Sequence, residues 1–154
     1  MNDTTEAQGT ANDVHDEEYR RQLTRAVMGM LYDWGLTLEH VRMLLGLEEF
    51  VPLRKMSRFR SEPFPDEPSV NERIEHVICI AEALRTAYPR NPQMVRHWLQ
   101  QPNRKFGKRA PLECMILDGL PGILGVRAEV DCTYAWQENS AYYTEQQAKA
   151  RSSS

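Results

Sequence analysis

Apolar residues recur at three- and four-residue spacing along most of this chain, and no segment shows the strict alternation of a half-buried strand. The chain also contains 8 glycines and 9 prolines, and many of them fall between the apolar stretches and limit their length. Helices interrupted this often must be short. The sequence therefore predicts an all-α protein built from several short helices.

The 154 residues suffice for one compact domain or for two small helical lobes. Three prolines fall within residues 61–68, which makes this segment the best candidate for a linker. We expect one lobe at 17–62 and a second lobe at 70–137. The flanking residues 1–16 and 138–154 contain few large apolar side chains, so we expect an acidic disordered tail before the lobes and a flexible tail after them.

Glycines mark the ends of two predicted helices in the first lobe. The first helix ends at Gly35, which is expected to adopt the left-handed conformation of a helix C-terminus. Thr37 caps a second helix, which ends at Gly46 after little more than two turns. A third helix is expected over 48–59, with Pro52 in its first turn, where proline is tolerated.

The helices of the second lobe are predicted by an amphipathic stripe and by prolines at helix starts. The stripe gives a long helix over 70–88. Asn91 then serves as an N-cap with Pro92 at the first helical position, and Pro111 and Pro121 each begin a further helix. Three helices begun by proline in succession indicate a tightly folded second lobe.

The chain lacks the motifs of phosphate loops, zinc proteases, serine hydrolases, paired-cysteine sites and EF-hands. Its four histidines have no metal-ligand spacing, and its three cysteines are far apart, so we interpret the cysteines as small core residues. His97 is either a general base or an exposed helical residue. The second interpretation is favoured because a base needs a positioned partner. We therefore expect no enzymatic activity, no cofactor and no bound metal.

Acidic residues are concentrated at the start of the chain. Residues 1–18 hold six Asp and Glu and no Lys or Arg, so the net charge of −3 becomes +3 for the rest of the chain. Such a mildly basic body permits nucleic-acid contact without requiring it. No apolar run approaches the roughly 20 residues of a membrane-spanning helix, and no signal pattern is present, so we expect a cytoplasmic protein with no membrane contact.

The segment Trp34–Leu47 has the layout of a helix-turn-helix opening, a short capped helix followed by a glycine turn. Basic residues follow it, and on one helical face their charged groups would reach phosphates or base edges. The predicted DNA-binding residues are Arg42, Arg54, Lys55, Arg58 and Arg60. Arg42 stands where a small residue is usual, and Pro52 and Lys55 stand where apolar residues are usual. A plain helical hairpin with a solvated basic face is therefore the alternative.

The most specific pattern runs from Trp98 to about Trp136. It consists of a helix ending in tryptophan and leucine, a Pro-Asn turn, an aromatic-glycine step and a Pro-Leu helix start: Trp98-Leu99, Pro102-Asn103, Phe106-Gly107 and Pro111-Leu112. This pattern closely resembles the toxin-binding domain of the Xre/MbcA/ParS antitoxin family. Together with the preceding helices, the resemblance covers about residues 20–136. Turn chemistry alone also explains several of these residues, so other surface residues are the alternative contacts to a partner.

The resemblance implies an antitoxin that neutralises a RES-domain toxin, an enzyme that breaks down NAD. The second lobe then binds the toxin and covers or fills its active-site entrance, while the first lobe represses the operon that encodes both proteins. Repression requires paired recognition helices, so we expect a homodimer on operator DNA. The residues expected to contact the toxin are Trp98, Asn103, Arg104, Lys105, Phe106, Lys108, Arg109, Arg127, Trp136, Tyr142 and Tyr143.

Two other functions compete with this hypothesis. The first is a stand-alone helix-turn-helix transcription regulator without a toxin partner, which the first lobe allows. The second is an enzyme of unrecognised type. A RES-like product of the adjacent reading frame is expected only for an antitoxin.

Overall fold

The computed structural model describes residues 3–131, 144–145 and 147–152, and for residues 3–10 it describes the backbone alone. These residues form helices joined by short loops, which confirms the all-α fold class. The α-helices are α1 (Asp3–Asp33), α2 (Leu38–Leu44), α3 (Pro68–Ala87), α4 (Pro92–Gln100), α5 (Pro111–Leu117) and α6 (Leu120–Val130). Short 3-10 helices span Leu47–Glu49, Leu53–Arg60 and Arg104–Phe106. Residues 147–152 also have helical backbone.

The chain divides into two compact units, Met1–Ile74 and Glu75–Ser154. The division falls inside α3, whereas the prolines of residues 61–68 predict it within that segment. One long helix thus supplies residues to both units. None of the described helices is both long enough and apolar enough to cross a membrane.

Helix α1 begins at Asp3, although the composition of residues 1–16 predicts disorder. The side chains at 11–19 are exposed, so packing does not explain this start. A helix nucleated by a buried segment extends at low cost, because each added residue gains one hydrogen bond. Arg21 also pairs with Glu17 at 3.0 Å and with Glu18 at 3.8 Å on the same helix. Local helix energetics therefore oppose the compositional signal for disorder.

The predicted turn between α1 and α2 is confirmed. Gly35 has φ +90°, and Gly46, which follows α2, has φ +68°. Both angles lie in the left-handed region that favours glycine. The Thr37 side chain accepts a hydrogen bond from the His40 backbone N–H at 3.2 Å, which caps α2 as expected.

The single helix predicted over 48–59 is wrong, since two 3-10 helices lie there. Pro52 causes the break, because a proline ring inside an α-helix would clash with the carbonyl four residues earlier. Instead it occupies the N-cap position of the second 3-10 helix. Three residues per turn then bring Met56 and Phe59 onto one ridge, and both are buried.

The proline-rich segment 61–68 is fastened to α1 and is not a free linker. Phe64 is buried, and its ring lies 5.0 Å from that of Phe59. Its backbone N–H donates to the Thr24 hydroxyl at 2.9 Å, and its carbonyl accepts from the Arg20 guanidinium at 2.6 Å. The Thr24 hydroxyl in turn donates to the Arg20 carbonyl at 2.8 Å. Thr24 therefore satisfies a backbone donor that would otherwise be buried without a partner.

The second unit has a core made by α3 to α6. Its buried apolar residues are Val77, Ile80, Ala81, Leu84, Leu99, Leu112, Cys114, Met115, Ile123 and Val126. Pro92 and Pro111 begin α4 and α5 as predicted, and α6 begins at Leu120, one residue before the expected start. The prediction of core cysteines is confirmed for Cys114, while Cys79 is half-buried and Cys132 lies outside the described residues.

Helices α5 and α6 approach each other closely at Gly122. A Cβ atom built on Gly122 would lie 2.0 Å from the carbonyl oxygen of Cys114. This distance is too short for any side chain to be accommodated there. By contrast, a Cβ atom on Gly125, one turn later on α6, would meet no atom within 4 Å. An alanine side chain would therefore clash at Gly122 and would fit without contact at Gly125.

We predict that Thr24→Val lowers the free energy of unfolding by about 1–3 kcal/mol, because the Phe64 N–H loses its acceptor in a buried position. Thr86 is the matched control. Its hydroxyl also bonds to the carbonyl four residues earlier, at 2.9 Å, but it is exposed. Thr86→Val should change stability by less than about 0.5 kcal/mol in urea denaturation. Equal effects of the two substitutions would contradict the role assigned to Thr24.

Alanine substitutions along α6 should have effects of opposite sign. Gly125→Ala raises the free energy of unfolding by about 0.5–1 kcal/mol, since alanine restricts the unfolded chain and fits the exposed helix. Gly122→Ala lowers it by about 1–3 kcal/mol, because α5 and α6 must move apart. Thermal unfolding followed by circular dichroism distinguishes the two variants. A stabilising Gly122→Ala would show that the helices do not meet there.

Candidate partner-binding surfaces

The segment 103–109 is a loop that one asparagine closes on itself. The Asn103 side chain accepts from the backbone N–H of Lys105 at 3.0 Å. Its own N–H donates to the Arg109 carbonyl at 3.1 Å, and its carbonyl accepts from the N–H groups of Phe106 and Lys108 at 3.0 and 3.1 Å. One residue therefore holds both ends and the middle of the loop, so that the loop presents a fixed backbone.

The far side of this loop turns through two consecutive residues in the left-handed region. Gly107 has φ +65° and Lys108 has φ +66°. Glycine adopts this conformation without strain, whereas a lysine pays about 1–2 kcal/mol. Lys108 is the one non-glycine residue with such an angle in the described part of the chain. The hydrogen bonds of Asn103 hold it there and aim its side chain outward, where it is exposed.

Trp98 and Phe106 attach the loop to α4. Their rings meet edge to face, with centroids 6.2 Å apart and an interplanar angle of 84°. Such aromatic pairs contribute about 0.5–1.5 kcal/mol beyond the area they bury. Both side chains are half-buried, so each also presents an edge at the surface. Trp98 and Phe106, which are both expected to contact a partner, thus also support the loop.

Three of the predicted contact cations are engaged within the second unit: Lys105, Arg109 and Arg127. Lys105 pairs with Glu129, and Arg109 makes a two-pronged pair with Asp118, one prong of which spans 3.2 Å. The hydrogen bond to Asp118 raises the pKa of Arg109. These pairs fasten the loop to α6 and to the end of α5.

Arg127 is a more internal residue than the sequence suggested. Its side chain is 15% exposed and lies 3.5 Å from Asp131 and 2.7 Å from Nδ1 of His76. It also faces the half-buried Cys79. Burial raises the pKa of the Cys79 thiol, and the charge of Arg127 partly offsets that effect. Arg127 therefore joins α3 to α6, and its guanidinium is mostly withdrawn from solvent.

Two predicted contact cations project freely from the loop. Arg104 and Lys108 are exposed, and neither has an acidic partner in the part of the chain that the structure describes. The remaining predicted contacts, Trp136, Tyr142 and Tyr143, lie outside the described residues. The predicted contact cations that have no acidic partner among the described residues thus lie together on the loop 103–109.

Four of the five predicted DNA-binding residues lie on the second 3-10 helix, Leu53–Arg60, and all four are exposed. With three residues per turn, Arg54 and Arg60 share one ridge, and Lys55 and Arg58 share the next. The third ridge is the buried one. Arg58 also lies 3.7 Å from Glu62, a solvated ion pair that neutralises part of its charge.

Arg42 has a structural role that the sequence pattern did not indicate. Its Nε donates to the carbonyl of Val51 at 2.7 Å, which ties α2 to the chain ahead of Pro52. Arg73 acts similarly, because its guanidinium donates to the carbonyls of Met43 and Leu44 at 3.5 and 3.3 Å, at the C-terminal end of α2. Sequence spacing gave no sign of the Arg73 bonds, since about 30 residues separate Arg73 from its partners.

Among the described residues, no group of three or more His, Cys, Asp or Glu side chains is placed to hold a metal ion. No protein-family model matches the chain, and no curated protein matches it.

Proposed function

We propose that this protein is the antitoxin of a toxin–antitoxin pair, and that its second unit binds and blocks a RES-domain toxin that degrades NAD. One observation supports this above all: residues 98–118, within the Trp98–Trp136 pattern, contact one another. Asn103 closes the loop, Trp98 meets Phe106, and Arg109 pairs with Asp118. Because the residues of the pattern form one connected loop, they support the resemblance more strongly than they would if they were scattered over the surface.

The loop 103–109 is suited to recognition by another protein. Its backbone is held by internal hydrogen bonds, so little conformational entropy is lost when a partner binds. Arg104 and Lys108 stand at its surface, where unpaired cations accelerate the approach of a partner with negative charge. The half-buried Trp98 supplies an aromatic edge of the kind that dominates many interfaces. The protein acts by covering the toxin and performs no chemistry itself.

We further propose that the protein works in the cytoplasm as a homodimer and represses its own operon. The four exposed cations on the Leu53–Arg60 helix offer contacts to DNA phosphates. This part of the proposal is separate from toxin binding, because the two sets of cations lie in different units. A transcription regulator without a toxin partner is the second candidate, and the same exposed cations favour it.

The decisive experiment co-expresses the chain with the product of the adjacent reading frame and measures cellular NAD. We expect NAD to be depleted by the neighbour alone and preserved when this chain is present. Arg104→Ala together with Lys108→Ala should weaken protection, since it removes the free charge of the loop without touching its internal bonds. The matched control, Arg54→Ala with Arg58→Ala, removes the same charge from the first unit and should protect fully. Depletion of NAD regardless of this chain would refute the antitoxin role.

Operator binding should show the opposite dependence on the two double substitutions. Arg54→Ala with Arg58→Ala is expected to weaken the gel shift of operator DNA. It should also reduce the slope of log affinity against log salt by about 1.8, the value for two phosphate contacts. Arg58 contributes less if its pair with Glu62 persists. An unchanged gel shift and slope would remove the Leu53–Arg60 helix from the DNA interface.

A further inference from the structure

A long acid-free stretch crosses the second unit. Between Glu82 and Glu113 the chain contains no Asp or Glu and seven Lys and Arg. Two of the seven, Lys105 and Arg109, are paired with acids elsewhere in the unit. The other five are exposed or nearly so and have no ion pair to any residue that the structure describes: Arg85, Arg90, Arg96, Arg104 and Lys108.

Helix α4 carries a shallow open groove within this stretch, with a volume of about 480 Å³. Six of its seven lining side chains are hydrogen-bonding groups: Asn91, Gln93, Arg96, His97, Gln100 and Gln101. Met94 is the seventh, and 38% of it is exposed. Arg90 immediately precedes the groove in sequence, and Arg85 lies in the last turn of α3. Guanidinium and amide groups are thus collected on one helix face, and no carboxylate is among the lining residues.

The charge of the two units adds to this argument. The first unit contains nine Lys and Arg against fourteen Asp and Glu, whereas the second contains ten against eight. The first unit is therefore net acidic despite the cations of its Leu53–Arg60 helix, and the second is net basic. Sequence-independent attraction to a polyanion increases with net positive charge, and net charge favours the second unit.

We propose that the α4 groove, with Arg96 in its lining and Arg90 next to it in sequence, binds the phosphate backbone of duplex DNA. Arg, Asn and Gln side chains are common donors to phosphate oxygens. A protein partner is less favoured here, because interface hot spots require large apolar or aromatic anchors and Met94 is the one apolar lining residue. The contact carries no sequence information. It adds affinity and orientation to any DNA complex and does not depend on the antitoxin role.

The test measures binding of the full chain to a fluorescein-labelled duplex of random sequence by fluorescence anisotropy, from about 50 to about 200 mM KCl. Arg90→Gln with Arg96→Gln should weaken binding at least about tenfold at the lowest salt and lower the log–log salt slope by about 1.8. Arg25→Gln with Lys149→Gln is the control, since both residues are exposed, lie outside the groove, and change the net charge equally. It should bind nearly as the wild type does.

Three results would overturn the proposal. The first is equal binding by the groove variant and the control variant. The second is a wild-type chain that does not bind the duplex at low salt. The third is competition by poly-L-glutamate that matches competition by unlabelled duplex at equal charge concentration, which would indicate a surface for acidic protein. Both substitutions lie at exposed positions, and thermal unfolding checks that the variants are folded. The NAD assay is read separately, so failure of the antitoxin role is distinguishable from failure of this contact.

Discussion

The short helices of this protein depend on side chains that bond to backbone groups far away in sequence. A helix of seven or nine residues is marginal alone, because too few hydrogen bonds offset the cost of nucleation. Thr24 and Arg20 hold the Phe64 backbone, Arg42 holds the Val51 carbonyl, and Arg73 holds the end of α2. Each bond also satisfies a polar group that packing removes from water. Loops that look like free connections are thereby fixed parts of the fold.

The same principle produces the candidate binding loop in the second unit. Asn103 makes four bonds to the loop 103–109, Lys105 and Arg109 pair with acids on neighbouring elements, and Trp98 packs against Phe106. Charges used in this way support the structure and are no longer available to a partner. Arg104 and Lys108 are left for recognition. In the folded protein, some cations of this basic segment therefore stabilise the loop, and the others remain exposed at its surface.

The two units divide the charge of the protein in a way that its small net charge conceals. Acidic residues predominate in the first unit, whereas the second unit contains more Lys and Arg than Asp and Glu. A nearly neutral chain can therefore present a basic surface, because electrostatic attraction acts locally and is screened beyond about 10 Å at ordinary salt. Toxin recognition by the loop and phosphate contact by α4 are both proposals about this basic surface.

Much of the local structure was determined by the sequence alone. Apolar periodicity gave the all-α class, and Gly35, Thr37, Gly46, Pro92 and Pro111 gave helix ends, because backbone sterics and capping act within a few residues. Tertiary structure decided the rest. It fastened 61–68 to α1, moved the unit boundary into α3, and placed Arg42 and Arg127 in internal bonds. These outcomes depend on partners 9 to 51 residues away, and no local pattern encodes which distant carbonyl or ring nitrogen a guanidinium will reach.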